Sequence, residues 1–228
     1  MSSSVGPGSD RARIFLLSPA NCSGKRAQML LSDRAAFGLA ARLRDPSGAP
    51  LGEVFSFVSG LYFRGKLAYA RRFASLPPVD AGEGLAGGIH VITPNAGLRS
   101  PDTAITLDAV RSFAACAIDA GNEHYRRPLE QSARMLLDAA GACDVVLLGS
   151  IASPKYVDVL LGVFGEQLCF PTDFVGRGDM SRGGLMLRRV ASGEELPYAP
   201  LGGSVRHGVR PPKLEPLRSS PAAHTGSA

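Results

Sequence analysis

Short apolar runs alternate along this chain with longer stretches whose apolar residues recur at helical spacing. Residues 13–17 (RIFLL) form a compact run closed by Ser18-Pro19, which predicts a first strand. Residues 27–43 read as a helix with Met29, Leu30, Phe37, Leu39, Ala40 and Leu43 buried and a break near Ser32-Asp33. A turn cluster at 45–50 leads into 53–58 (EVFSFV), where aromatic and polar residues alternate as in a strand. Residues 61–74 predict a helix with Leu61, Phe63, Leu67, Ala70 and Phe73 on its core face. Arg64, Lys66, Arg71 and Arg72 form the opposite, solvated face. A Pro/Gly-rich linker at 76–88 precedes a third strand at 89–93 (IHVIT), whose His90 is read as structural.

Residues 94–103 are a polar loop, and 106–115 and 123–140 predict helices. The second carries Tyr125, Leu129, Ser132, Met135, Leu136 and Ala139 along one stripe. Residues 144–148 (DVVLL) are a fourth strand. Ser153-Pro154 then offers a cap and first turn for a helix with Tyr156, Val157, Leu160, Leu161 and Phe164 buried. A short run at 167–170, a polar loop at 171–184, a last strand at 185–190 and an extended edge at 196–201 complete the pattern. The expected fold is α/β: three layers, with a mostly parallel central sheet of five or six strands and helices on both faces.

Composition refines this little. At 228 residues and 45% apolar content, the expectation is one domain over 13–200, a disordered N-terminus over 1–12 and a disordered Pro/Ser-rich tail over 201–228. Four basic residues in that tail against the single Glu215 supply +3 of the net +5, and the remaining +2 on the body does not establish a chain-wide nucleic-acid footprint. The tail is a candidate contact for a protein partner. No run approaches the roughly 20 apolar residues of a membrane span, and no secretory h-region opens the sequence, so a cytoplasmic protein without membrane contact is expected. Cys22, Cys116, Cys143 and Cys169 lie far apart with no CxxC, so neither a metal nor a cofactor is expected. Cys22 stands out because Lys25 and Arg26 beside it could favour a thiolate, but with no histidine close by in sequence it is not read as a nucleophile.

Candidate chemistry gathers where the strands' carboxyl ends should meet, the usual place for ligands in such sheets. Five segments converge there on this reading: residues 18–26, 59–66, 93–102, 149–155 and 173–182. They bring cations (Lys25, Arg26, Arg64, Lys66, Lys155, Arg177, Arg182), hydroxyls (Ser18, Ser23, Ser59, Thr93, Ser150, Ser181) and acids (Asp102, Asp173, Asp179). Cations with hydroxyls and amides suit a phosphate. Asn21, Asn95, Tyr62 and Phe174 add amide and aromatic groups for a nucleobase. Residues 18–26 are not a Walker A loop, because Gly24-Lys25 is followed by Arg26 and no glycine precedes at the required distance. Any of the three acids could activate water or stabilise an oxocarbenium-like centre. Arg177-Gly178-Asp179 spells an adhesion tripeptide, read here as chance.

Residues 57–70 (FVSGLYFRGKLAYA) followed by 92–103 (ITPNAGLRSPDT) resemble a pattern in uncharacterised bacterial families related to uracil-DNA glycosylase-like folds. Some members of those families look like accessory or glycosidic-bond enzymes of deazaguanine base modification. Ser59, Phe63, Arg64, Lys66, Tyr69, Gly97, Leu98, Pro101 and Asp102 match. Asn95-Ala96 and Arg99-Ser100 depart. The resemblance spans roughly residues 14–150 in element order and implies a nucleobase-handling α/β fold, without transferring a mechanism. The expected function is a nucleotide-, nucleoside- or nucleobase-processing enzyme acting at an N-glycosidic bond, on a phosphate-bearing small molecule or nucleic acid. A non-catalytic nucleotide- or nucleic-acid-binding module is the alternative.

Overall fold

The structure, a computed structural model, describes residues 11–76, 83–152 and 154–214. Strand β1 (Arg13–Leu17) is followed by two short helices, α1 (Lys25–Leu31) and α2 (Gly38–Arg44), so residues 27–43 are indeed broken near Ser32. The two-residue β2 (Ala49–Pro50) leads into α3 (Leu51–Ser59) and α4 (Leu61–Phe73). Then come β3 (Ile89–Ile92), β4 (Leu98–Arg99), β5 (Ala104–Ile105), α5 (Leu107–Ala115) and α6 (Glu123–Ala140). The chain continues through β6 (Asp144–Leu148), α7 (Pro154–Phe164), β7 (Leu168–Pro171), α8 (Asp179–Ser192) and β8 (Tyr198–Pro200).

Six strands form one sheet in the order β4-β3-β1-β6-β7-β8. β3, β1, β6 and β7 run parallel, and β4 and β8 are antiparallel edges. Strand alternation divides the apolar runs between two cores. Phe15, Leu17, Val146 and Leu148 point into one, beneath α1, α3, α4, α5 and α8. Ile14, Leu16, Val145 and Leu147 point into the other, beneath α6 and α7. The molecule is therefore the expected three-layer α/β structure. The chain leaves β1 towards β3 on one side and passes from β6 to β7 on the other. The carboxyl ends of β1 and β6 thus flank the point where the winding reverses, and a crevice opens there.

Several local expectations are overturned. Residues 53–58 are helical: Leu51, Val54, Phe55 and Val58 recur at i, i+3, i+4 and i+7 and are buried, and the apparent alternation rested on Phe55 and Phe57 alone. Residues 185–190 lie inside α8, so the polar loop expected over 171–184 ends at Gly178. Gly183 and Gly184, which read as loop residues, lie within α8, and Gly183 sits in a helix crossing. A Cβ on Gly65 would stand 2.7 Å from the Gly183 carbonyl oxygen, so α4 and α8 pack backbone against backbone. That cover explains another correction: Lys66, placed by the sequence on a solvated face, is 1% exposed. In α6 the buried stripe is Tyr125, Leu129, Ala133, Leu136 and Ala140, while Met135 and Ala139 face solvent. Beyond β8, Leu201 is buried and donates its amide to Leu168 O at 2.7 Å. Arg206 lies 3.4 Å from Asp158, and Leu214 packs on the first core. Of the termini expected to be disordered, 1–12 and 201–228, residues 1–10 and 215–228 lie outside the described residues.

Candidate functional site

A cavity of about 900 Å³ opens at the carboxyl ends of β1 and β6. The segment after β1 forms one wall, tied in place by the Ser18 amide donating to Leu148 O of β6 at 3.1 Å. Asn21 shapes the turn into α1: its side-chain oxygen accepts from the Ser23 amide (3.2 Å) and hydroxyl (2.8 Å). Other walls come from the end of α3, Tyr62 of α4, Pro94, residues 113–118 at the end of α5, Ser150, Lys155 and Tyr156 of α7, and Asp179 and Met180 of α8.

Of the residues expected to converge, Ser18, Asn21, Ser23, Lys25, Arg26, Ser59, Ser150, Lys155 and Asp179 line this cavity, and so does Tyr62. Three cations thus face one carboxylate. Arg26 also donates to Phe57 O at 3.3 Å, which draws it across the end of α3. The Tyr156 hydroxyl accepts from the Ser150 amide (2.9 Å) and donates to Ser150 O (3.0 Å), fixing the turn after β6.

The remaining expected residues lie elsewhere. Asp102 is 74% exposed and pairs with Arg71 at 2.9 Å. Its displacement follows from β4: Gly97, at φ +68°, turns the chain back antiparallel to β3, carrying residues 100–103 towards the amino-terminal edge. Arg64 is exposed and does not line the cavity. Asn95 donates to Ser112 O (3.2 Å) and Oγ (2.6 Å) and lines a neighbouring hollow of about 610 Å³ that shares Ala115 and Cys116 with the main cavity. Phe174 is wholly buried in the core and has no face for a base. Arg182 is buried behind the cavity, donating to Phe174 O at 3.2 and 3.3 Å and reaching Asp179 at 3.4 Å. Arg177 donates to Asp173 O (3.0 Å) and to Ser181 (3.4 Å), and lines with Ser181 a separate groove beside residues 210–214. Asp173 does not line the cavity.

Lys66 lies beneath the floor. Its Nζ donates to Ser18 O (2.7 Å) and Ser18 Oγ (2.9 Å) and sits 4.5 Å from the Tyr62 ring centre and 4.8 Å from that of Phe63. Among the described residues no carboxylate comes within ion-pairing distance of it. Burial pushes its pKa down to about 7, and the more distant Asp179 charge offsets part of that fall. The Tyr62 hydroxyl is buried with no group in hydrogen-bonding geometry, and burial drives its pKa up although the Arg182 guanidinium is close enough to oppose the rise.

Cys22 is no thiolate: it is buried, and desolvation pushes its thiol up to about 12, outweighing Lys25 and Arg26, which point to solvent. His90 is buried as expected, its Nε2 unpartnered and its pKa lowered to about 4 by burial. Among the described residues, no three or more His, Cys, Asp or Glu side chains come together as a metal site, and no helix is long and apolar enough to cross a membrane. Sequence reasoning missed Tyr156 and the 113–118 wall. It also missed the Ser18–Lys66 contact, although Lys66 sits at i+3 and i+4 from Phe63 and Tyr62, within the apolar stripe. No protein family, curated protein or solved structure matches the chain.

Proposed function

We propose that this chain is an enzyme that processes a nucleotide, nucleoside or nucleobase, acting at an N-glycosidic bond within the cavity between β1 and β6. The observation that carries the reading is the composition of that cavity: Lys25, Arg26 and Lys155 against the single carboxylate Asp179, with the Tyr62 ring beside them. Its volume falls in the range of small-molecule sites. The cations would hold a phosphate and Tyr62 would bear on a base. Asp179, the one expected acid at the cavity, would stabilise an oxocarbenium-like centre or take a proton from water. The sequence resemblance at 57–70 and 92–103 supports a base-handling protein, but Asp102, its acidic residue, has no part in this proposal.

The test is thermal shift with nucleoside monophosphates, nucleosides and free bases, followed by chromatography for released base. Monophosphates should stabilise the protein most, and Asp179→Asn should abolish base release without weakening monophosphate binding. A second reading, a binding module without catalysis, draws on the exposure of Asp179, which among the described residues pairs with Arg182 alone, at 3.4 Å. Binding without base release would favour it. No stabilisation by any of these compounds would exclude both.

A further inference from the structure

We infer that Ser18 and Lys66 form a nucleophile–base pair that transfers the acyl group of an anionic ester or amide bound in the β1–β6 cavity. The inference stands on the pair itself and does not depend on the N-glycosidic reading. Ser18 lines the cavity at the end of the central strand, and its hydroxyl lies 2.9 Å from the Lys66 amine. Gly149, just after β6, makes room for it: a Cβ there would stand 2.8 Å from Ser18 Cβ and 3.2 Å from its Oγ, so a side chain at that position would displace the hydroxyl. Among the described residues, Lys66 has only Ser18 oxygens as hydrogen-bond partners, with the Tyr62 and Phe63 rings beside it. A lysine serving structure alone is ordinarily paired with a carboxylate when buried, because an unpaired buried ammonium is expensive. An amine meant to act as a base needs the opposite surroundings, apolar and free of counter-charge.

The chemistry balances without any cofactor. The neutral Lys66 amine takes the Ser18 proton as Oγ bonds to the carbonyl carbon, and the carbonyl electron pair moves to oxygen. Collapse expels the alkoxide or amine, which takes the proton from the Lys66 ammonium. Water then attacks the acyl-serine, giving its proton to Lys66, which returns it to Ser18 as the carboxylic acid departs. Lys25, Arg26 and Lys155 select a substrate with an anionic group.

Reaction of the intact protein with an alkyl fluorophosphonate tests this without knowledge of the substrate. Ser18 Oγ bonds to phosphorus, fluoride leaves with its electron pair and Lys66 receives the proton. Peptide mass mapping should place the label on Ser18, with Ser18→Ala unlabelled. The rate should rise about tenfold between pH 6 and pH 8 and then level off, as Lys66 loses its proton. The titratable groups that bear on that amine are Tyr62 of α4, whose ring centre lies 4.5 Å away, and Asp179 of α8, which acts against deprotonation; Tyr156 of α7 and Arg182 of α8 act on Tyr62. Lys66→Met and Lys66→Arg should each slow labelling at least ~100-fold in folded protein. If neither variant folds, Ser18→Cys with iodoacetamide replaces them: alkylation of that thiol should already be fast at pH 7. No label on Ser18, labelling indifferent to Lys66, or a thiol that reacts only above pH 8.5 would each overturn the pair. Monophosphate binding would be unaffected by that failure and is measured separately.

Discussion

A lysine amine taken out of water and given only neutral oxygens as partners is held at a cost, and Lys66 makes that cost measurable. Its folded pKa of about 7 lies below the ordinary 10.5. Between those values the unfolded chain keeps a proton that the folded one has shed, so stability rises with pH across this window and falls as pH drops towards 7. Lys66→Met should flatten that slope and raise stability at pH 6.5 by an amount on the order of a few kcal/mol, read from urea melts at pH 6.5, 8 and 9.5. An unchanged slope would mean that the amine is not the titrating group. His90 gives the same sign at lower pH. Its folded pKa of about 4 lies below 6.5, so stability is lost as pH falls from 6.5 to 4 and is flat below. His90→Asn should reduce acid sensitivity in that interval, as followed by thermal melts between pH 4 and pH 7. The place of His90 inside a strand was legible from the apolar run around it. The burial of Lys66 was not, because its neighbours' spacing admits an outer face until α8 is known to cover it.

At the scale of elements, misreadings trace to glycine and to short windows. Strands β1 and β6 were legible because a run of four or five large apolar residues bounded by breakers has few other uses. α8 was not, since Gly183-Gly184 in a polar context reads as loop, whereas the structure uses Gly183 to let α4 approach. A Cβ on Gly183 would meet Leu61 O and Tyr62 Cα at 3.0 Å. Both contacts are backbone and neither helix can yield locally. Gly65→Ala should therefore destabilise the protein by roughly 2–3 kcal/mol. Gly162→Ala, in α7 with nothing within 4 Å of its Cβ position, should gain up to about 1 kcal/mol. Chemical denaturation of the two variants side by side checks the contrast. Equal effects would remove the tight α4–α8 crossing from the account.

At the scale of the whole molecule, parallel order brings remote loops to one rim, and that much followed from the alternation of strands and helices. Which side chains face inward did not follow. Asp102 was carried off by the reversal into β4, Arg182 was absorbed in holding the turn before α8, and Phe174 was taken into the core. None of these outcomes is visible until antiparallel edges and helix crossings are fixed. What remains at the rim is an excess of positive charge, and this has a consequence for any anion. Lys25, Arg26 and Lys155 are all exposed, so each contributes a modest, screened attraction of about 0.5–1 kcal/mol. Lys25→Ala should weaken binding of a nucleoside monophosphate about two- to fivefold. Raising salt from 50 to 500 mM should weaken it roughly tenfold, because all three charges are screened together. Asp179→Asn acts in the opposite direction: removing the one opposing charge should tighten the monophosphate a few-fold even as it abolishes base release. Titration calorimetry of the wild type and both variants at the two salt concentrations separates these effects. Affinity that is indifferent to salt and to Lys25 would show that the anion is held somewhere other than the β1–β6 cavity.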